Sequence, residues 1–211
     1  MTTTMVRTRA THAPPRRPSS RETGPFLEGE RVVLRPLQPS DLDGAYIDWL
    51  NDYDVTRFLE TGTMPTTRAM LEQYVRSVSQ NPDNVLLAIV DRASGRHIGN
   101  IKLGPIHPLH RRADVGILIG EASFRGRGCG REAMALILDY GFRRLNLHKI
   151  TLGVHADHRQ AVQLYRSLGF RLEGTLKEQL FRDGKFRDKA VMGILRREYL
   201  ASRKDGHGRR R

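Results

Sequence analysis

The sequence predicts a mixed α/β layer, mostly antiparallel in its first half. Three observations predict it. Val115, Ile117 and Ile119 alternate along residues 113–120, the period of a half-buried strand. Ala133, Met134, Leu136, Ile137, Tyr140 and Gly141 then recur at helical spacing. Between the two runs lies Arg125-Gly126-Arg127-Gly128-Cys129-Gly130, a glycine-rich turn from strand into helix.

The other elements follow in order. Residues 31–37 read as a first strand, and Pro39-Ser-Asp-Leu-Asp43 opens a helix through Trp49 and Leu50, with Ser40 as its N-cap. A second helix over 67–79 places Met70, Leu71, Tyr74 and Val78 on one side and stops at Asn81-Pro82. Strands follow at 85–91 and 98–106, separated by the turn Ala93-Ser-Gly-Arg96. After the strand at 113–120, a helix runs to about Leu145 and another strand covers 149–154. A third main helix spans 159–168, ended by Gly169. Residues 170–177 and 189–195 make a last strand pair, turned by Asp183-Gly184.

The glycine loop carries chemistry. A turn that opens a helix leaves backbone N–H groups unpaired, and these attract an anion, usually a phosphate. Glycine permits positive φ and close approach. A dinucleotide fold wants G-x-G-x-x-G and an acidic residue ending the next strand. Here the spacing is G-x-G-x-G, and Lys149–Val154 ends without a carboxylate. The Walker pattern is absent.

Bulk properties narrow the class. At 211 residues the chain holds one domain, with tails, and a proper core. Its net charge of +13 suggests nucleic acid until it is partitioned: residues 1–25 hold five Arg and one Glu, and residues 201–211 hold five Lys/Arg and one Asp. The excess is thus concentrated at the termini, where it supports solubility or weak polyanion contact. Residues 1–25, rich in Thr, Arg, Pro and Ser, read as disordered and lack the apolar run of a secretory signal. No stretch reaches the roughly 18 apolar residues of a membrane span. The single cysteine, Cys129, excludes an intramolecular disulfide and fits a reducing, cytoplasmic setting. It reads as a small filler of the loop. No metal-ligand set stands out.

Together these pieces resemble the GCN5-related N-acetyltransferase (GNAT) superfamily. Arg125, Gly128 and Gly130 fit its acetyl-CoA loop, Q/R-x-x-G-x-G/A. About 30 residues on, Asp157-His-Arg-Gln-Ala-Val-Gln-Leu-Tyr165-Arg-Ser-Leu-Gly-Phe170 is similar to the family's N-x-x-A-I-x-L-Y-E-K-L-G-F segment. The resemblance covers 26–196, leaving 1–25 and 197–211 as basic tails. It implies a central mixed sheet of six to seven strands flanked by helices, with a splayed parallel pair at the cofactor site. Leu34-Arg-Pro-Leu37, Trp49-Leu-Asn-Asp52, Glu173-Gly-Thr-Leu-Lys177 and Phe181-Arg-Asp-Gly-Lys-Phe186 resemble a branch holding ribosomal-protein N-terminal, polyamine and amino-sugar acetyltransferases. Residues 49–60 look closest to the sugar-modifying members.

Acetyl transfer to an amine needs a held cofactor, a neutral amine, a polarised carbonyl and a protonated leaving thiolate. The backbone of Arg125, Gly126, Arg127, Gly128, Cys129 and Gly130 supplies the first, the two arginines adding charge. The resemblance implies a carbonyl-polarising N–H near Leu118 or Ile119, and Tyr165 as general acid toward sulfur. Tyr165 also suits a purely packing role. His158 stands where the family has an Asn that holds the pantetheine arm; a helix-capping surface histidine is the alternative. The general base stays open, with Gly153 where some relatives carry Glu, and with Glu60, Asp114 and Glu121 as candidates. Acceptor contacts are expected from 50–66, 178–188 and the loop 104–112, whose His107, His110, Arg111 and Arg112 form a basic cluster. The mildly positive core disfavours polyamines. The expected enzyme is an acetyl-CoA-dependent N-acetyltransferase, monomeric or homodimeric and without metal. It acts on an amino sugar or other small amine, with a protein N-terminus as second choice. A non-catalytic acyl-CoA-binding module and a nucleic-acid binder are the rival classes.

Overall fold

The structure, a computed structural model, describes residues 24–207. The basic segment assigned to 1–25 therefore lies, up to residue 23, outside the described residues, as do 208–211. Eight strands form one sheet: β1 (Leu27–Glu28), β2 (Val32–Pro36), β3 (Val85–Asp91), β4 (His97–Leu103), β5 (Arg112–Ile119), β6 (Lys149–His155), β7 (Arg171–Arg182) and β8 (Lys185–Leu195). Their order is β1-β2-β3-β4-β5-β6-β8-β7, and β5 with β6 is the parallel pair. The expected α/β fold with a parallel pair is present. The strand beyond the expected six to seven is the two-residue β1.

The helices are α1 (Pro39–Leu42), α2 (Tyr46–Asn51), α3 (Tyr53–Thr56), α4 (Arg68–Gln80), α5 (Cys129–Asp139), α6 (Arg159–Ser167) and α7 (Arg196–His207). The single helix expected from Ser40 to Leu50 is instead broken. Gln38 caps α1, Asp43 ends it, and Asp52 restarts the chain as α3 by accepting the Asp54 N–H at 2.8 Å. Beyond α5 the chain makes a π-helical turn over Tyr140–Arg144. Gly141 lies there because a Cβ would come 2.9 Å from the Ile150 side chain.

Two cores lie on opposite faces of the sheet. On one, α5 places Ala133, Met134, Ile137 and Leu138 against Val115, Ile150, Leu152 and Ile194. On the other, Tyr46, Trp49 and Leu71 pack with Leu118. Beneath them the buried Asp41 carboxylate takes a bidentate pair from Arg35, at 2.6 and 2.8 Å, and faces His97. The segment read as a tail from 197 is a helix in its described part. Tyr199, 2 % exposed, rests on Phe142 with ring centroids 5.0 Å apart, and that apolar anchor outweighs the surrounding charge.

Candidate active site

The parallel pair opens into a cleft. β5 and β6 pair at Arg112/Lys149, Ala113/Ile150 and Asp114/Thr151, and the pairing ends there. On the other side of β5, the Gly104 N–H donates to the Asp114 carbonyl and the Gly120 N–H to Ile98. In an antiparallel ladder alternate residues exchange both backbone bonds. The even-numbered residues of β5 therefore bond to β4, including Leu118 opposite Asn100. Val115, Ile117 and Ile119 turn their backbone groups toward β6, into the opening. Of the two residues expected to offer an N–H there, Ile119 faces the cleft and Leu118 is committed to β4.

The glycine loop continues from the mouth of this cleft. Gly126 and Gly128 have φ of 74° and 85°, and Gly128 is the N-cap of α5. A Cβ on Gly126 would meet nothing within 4 Å, so conformation rather than space requires glycine there. The first N–H groups of α5, an 11-residue helix, begin here and suit a phosphate. Arg125 has a different task from the one its charge suggested. Its guanidinium bonds the Ile119 and Gly120 carbonyls, each at 3.0 Å, and so fixes the bend from strand to loop. Arg127 lies over the Phe124 ring at 5.8 Å. Burial raises the Cys129 thiol above its ordinary value, which keeps it protonated and unsuited to attack.

Tyr165 lies on α6, partly buried against the core and edge-on to Phe170 at 5.9 Å. Burial pushes its phenol up to about 12. His158 begins α6 without a side-chain cap bond. Its ring stacks on Phe58 at 3.9 Å, and the Arg182 guanidinium lies 4.4 Å from the Phe58 ring centre. Phe58 thus joins the 50–66 segment to the β6–α6 turn and to the β7–β8 hairpin. Tyr53 donates to Asp183, and Glu60 pairs with Lys189, making the same connection twice more. Asn51 exchanges hydrogen bonds with the Thr66 backbone at 2.8 and 2.9 Å and closes the base of the segment.

Two of the three expected acceptor-side segments therefore meet. The third does not. The loop 104–112 leads into the start of β5, whereas the cleft opens at its end, roughly 20 Å away at about 3.3 Å per residue. His107 and His110 stack on each other there at 4.3 Å. The candidate bases are likewise engaged: Glu60 with Lys189, Glu121 with Arg96 at 2.8 Å, and Asp114 with Thr151 where the strands are still paired. Sequence reading missed His155, Lys189 and Phe58, whose roles depend on contacts between distant segments. The Lys189 side chain crosses the space beside Gly153, its Cε 2.2 Å from where a Cβ there would sit.

Beside the end of β5 lies an open cleft of about 550 Å³. Trp49, Asp52, Asp54, Arg57, Glu121 and Arg125 are among its lining residues. Its three carboxylates face two arginines, one of them held by backbone carbonyls. Among the described residues no group of three or more His, Cys, Asp or Glu is arranged to hold a metal, and no helix is long and apolar enough to cross a membrane.

Comparison with known proteins agrees with this geometry. Residues 31–171 match the model of the acetyltransferase (GNAT) domain. The spermidine N(1)-acetyltransferase of Escherichia coli K12 is 32% identical over 174 residues, covering 82% of this chain and 90% of that protein. The Vibrio cholerae spermidine N(1)-acetyltransferase is 36% identical over 171 residues, 81% of this chain and 96% of that one. A crystal structure of spermidine N-acetyltransferase from Vibrio cholerae, in complex with CoA and spermine, superposes with a TM-score of 0.75 at 31% identity. That match covers 82% of this chain and 99% of the other.

Proposed function

The chain belongs to the GNAT acetyltransferase family and is an acetyl-CoA-dependent N-acetyltransferase; on that premise we propose that its acceptor is a small polyamine. The observation that carries this is the cleft beside the end of β5, where Asp52 and Asp54 gather with Glu121, the last paired with Arg96. The likeness to spermidine acetyltransferases supports it. The positive charge of the domain as a whole, which argued against polyamines, is a poor guide to this local field. Potential in a cleft follows the groups that line it.

The chemistry follows from the chain's own residues. The loop 125–130 and the start of α5 hold the CoA pyrophosphate by backbone N–H groups. The Ile119 N–H, turned into the opening between β5 and β6, polarises the thioester carbonyl. The acceptor amine approaches from the face bearing Leu118 and attacks directly, with no acyl-enzyme stage. Tyr165 is the acid toward the departing sulfur. With its phenol near 12 it stays protonated throughout the working range. It is a weaker acid than a thiol, so it acts by hydrogen-bonding the developing thiolate and proton transfer follows that charge. His158, with Phe58 stacked on it, borders the pantetheine arm.

The test is CoA release from acetyl-CoA with spermidine, spermine, amino sugars, nucleotide-linked amino sugars and N-terminal Ala or Ser peptides. Preferential turnover of the polyamines is expected. Preference for an amino sugar, the first acceptor the sequence suggested, or for a peptide, would replace the polyamine reading and leave the acetyltransferase itself untouched.

A further inference from the structure

We propose that His155 is the general base, taking the proton from the acceptor nitrogen as it attacks. The inference deepens the reading above and rests on it. Counting on from the paired residues Asp114 and Thr151, four residues along each strand, brings Leu118 and His155 to the same level across the opening. The side chains of Asp114 and Thr151 bond to each other, so they share a face of the sheet. Side chains alternate along strands, so Leu118 and His155 lie on that face too. Val115 and Val154 belong to the core on the opposite face. His155 thus stands where the acceptor meets the carbonyl, one strand across from the polarising N–H of Ile119.

Its surroundings suit a base. His155 is 3 % exposed, and its Nδ1 has no hydrogen-bond partner. A buried polar atom without a partner is unfavourable, and such atoms recur where a ligand supplies what the chain does not. Phe58 covers the ring edge-on at 5.6 Å. Five ionisable groups face it: Arg182 on β7, Lys189 on β8, Glu60 on the segment after α3, and Asp157 and His158 in the β6–α6 turn. Burial, with Arg182 and Lys189, holds the imidazole below its ordinary value, against the opposite pull of Asp157 and Glu60. His155 is therefore neutral at pH 7, with a lone pair to offer. Glu60 is held by Lys189, while the Nδ1 of His155 has no partner and is open to a proton.

The step balances. The amine nitrogen forms a bond to the carbonyl carbon and the carbon–sulfur bond breaks. The N–H proton goes to His155, and the sulfur takes the proton of Tyr165. His155 then releases its proton to water, and Tyr165 regains one from water.

The test is the pH dependence of kcat/KM, with spermidine, in wild type, His155→Asn and His155→Gln, alongside acetyl-CoA affinity and the melting temperature. Wild-type activity should fall as pH drops through a value below 6.5. Both variants should lose at least about a hundredfold in kcat and lose that acid limb, while binding acetyl-CoA as wild type does. His158→Asn should weaken acetyl-CoA binding and keep the limb. Variants that retain the limb, or kcat within threefold of wild type, overturn the assignment, as does a limb that vanishes in His158→Asn alone. If wild type ignores spermidine but acetylates another amine, only the polyamine reading fails, and the same profiles measured with that amine decide His155. Absence of turnover with every amine overturns both.

Discussion

The Glu132 carboxylate, on the first turn of α5, accepts the backbone N–H of Arg31 at 2.8 Å across a hundred residues of sequence. The N–H groups of Glu30 and Val32 join it, each at 2.9 Å. Gly29 lies flat against the same side chain, where a Cβ would be 2.7 Å away. One carboxylate thus moors the start of α5 to the β1–β2 turn. Glu132→Ala should cost about 2 kcal/mol of unfolding free energy in urea, since charged hydrogen bonds contribute about 1.5–3 kcal/mol. It should also weaken acetyl-CoA binding by loosening the helix start. Calorimetric titration of the variant separates the two effects.

Gly128 makes a second prediction about the same helix. Its nearest neighbour to an added Cβ is the Arg31 Nε at 3.6 Å, so alanine fits in space. The φ of 85° is what alanine resists, at a cost of about 1–2 kcal/mol. Gly128→Ala should therefore raise the Kd for acetyl-CoA with little change in kcat at saturation. Gly128→Asn, which tolerates this conformation better, should fall between.

Tyr165→Phe removes one oxygen from a partly buried ring that keeps its packing on Phe170. Expected are a kcat lower by about 10²–10⁴-fold, near-normal acetyl-CoA affinity and an unchanged melting temperature. With the phenol near 12, wild type should show no alkaline limb from Tyr165 up to pH 10.

Much of this machinery was legible because it is local. The glycine loop, the α5 periodicity and the Asp183-Gly184 turn each express a short-range preference of backbone or side chain. What escaped was long-range. Glu132 reads as an ordinary helix-surface acid until β1 and β2 are placed beside it. His155 falls just past the strand read at 149–154 until register sets it opposite Leu118. The 196–207 helix was hidden by its charge, because Tyr199 and Leu200 give little apolar signal among the basic residues around them. The basic cluster at 107–112 misled for the converse reason: local composition does not say at which end of a strand a site opens.

Stability should fall in two stages on acidification. His97, His155 and His158 all have folded-state values below the ordinary 6.5, burial being the first cause in each. Their contribution is complete above that value and is lost as pH drops through the folded ones. Asp41 follows at lower pH. Burial alone would raise it, but Arg35, the Gln38 N–H and His97 together hold it below 3.8, so its contribution disappears only as pH falls through that lowered value. Asp41→Asn should shrink the second stage without removing it, because Asp91, Asp157, Asp183 and Asp188 are also held below the ordinary carboxylate value by their partners. It should cost about 3 kcal/mol at neutral pH, since it strands Arg35. Urea midpoints measured from pH 3 to 8 resolve both.

The seam between β5 and β6 has a consequence for how the protein endures heat. Beyond Asp114 the pairing of β5 with β6 stops, and the amides of Val115, Ile117 and Ile119 face the opening, where the proposed reading puts the acyl donor. Those amides should exchange hydrogen readily in the free protein and slowly in the loaded one. A ligand that binds only the folded chain adds about 2.7 kcal/mol at a hundredfold excess over its Kd. The melting point should therefore rise with acetyl-CoA concentration, so that a cell rich in the donor would also keep more of the catalyst intact.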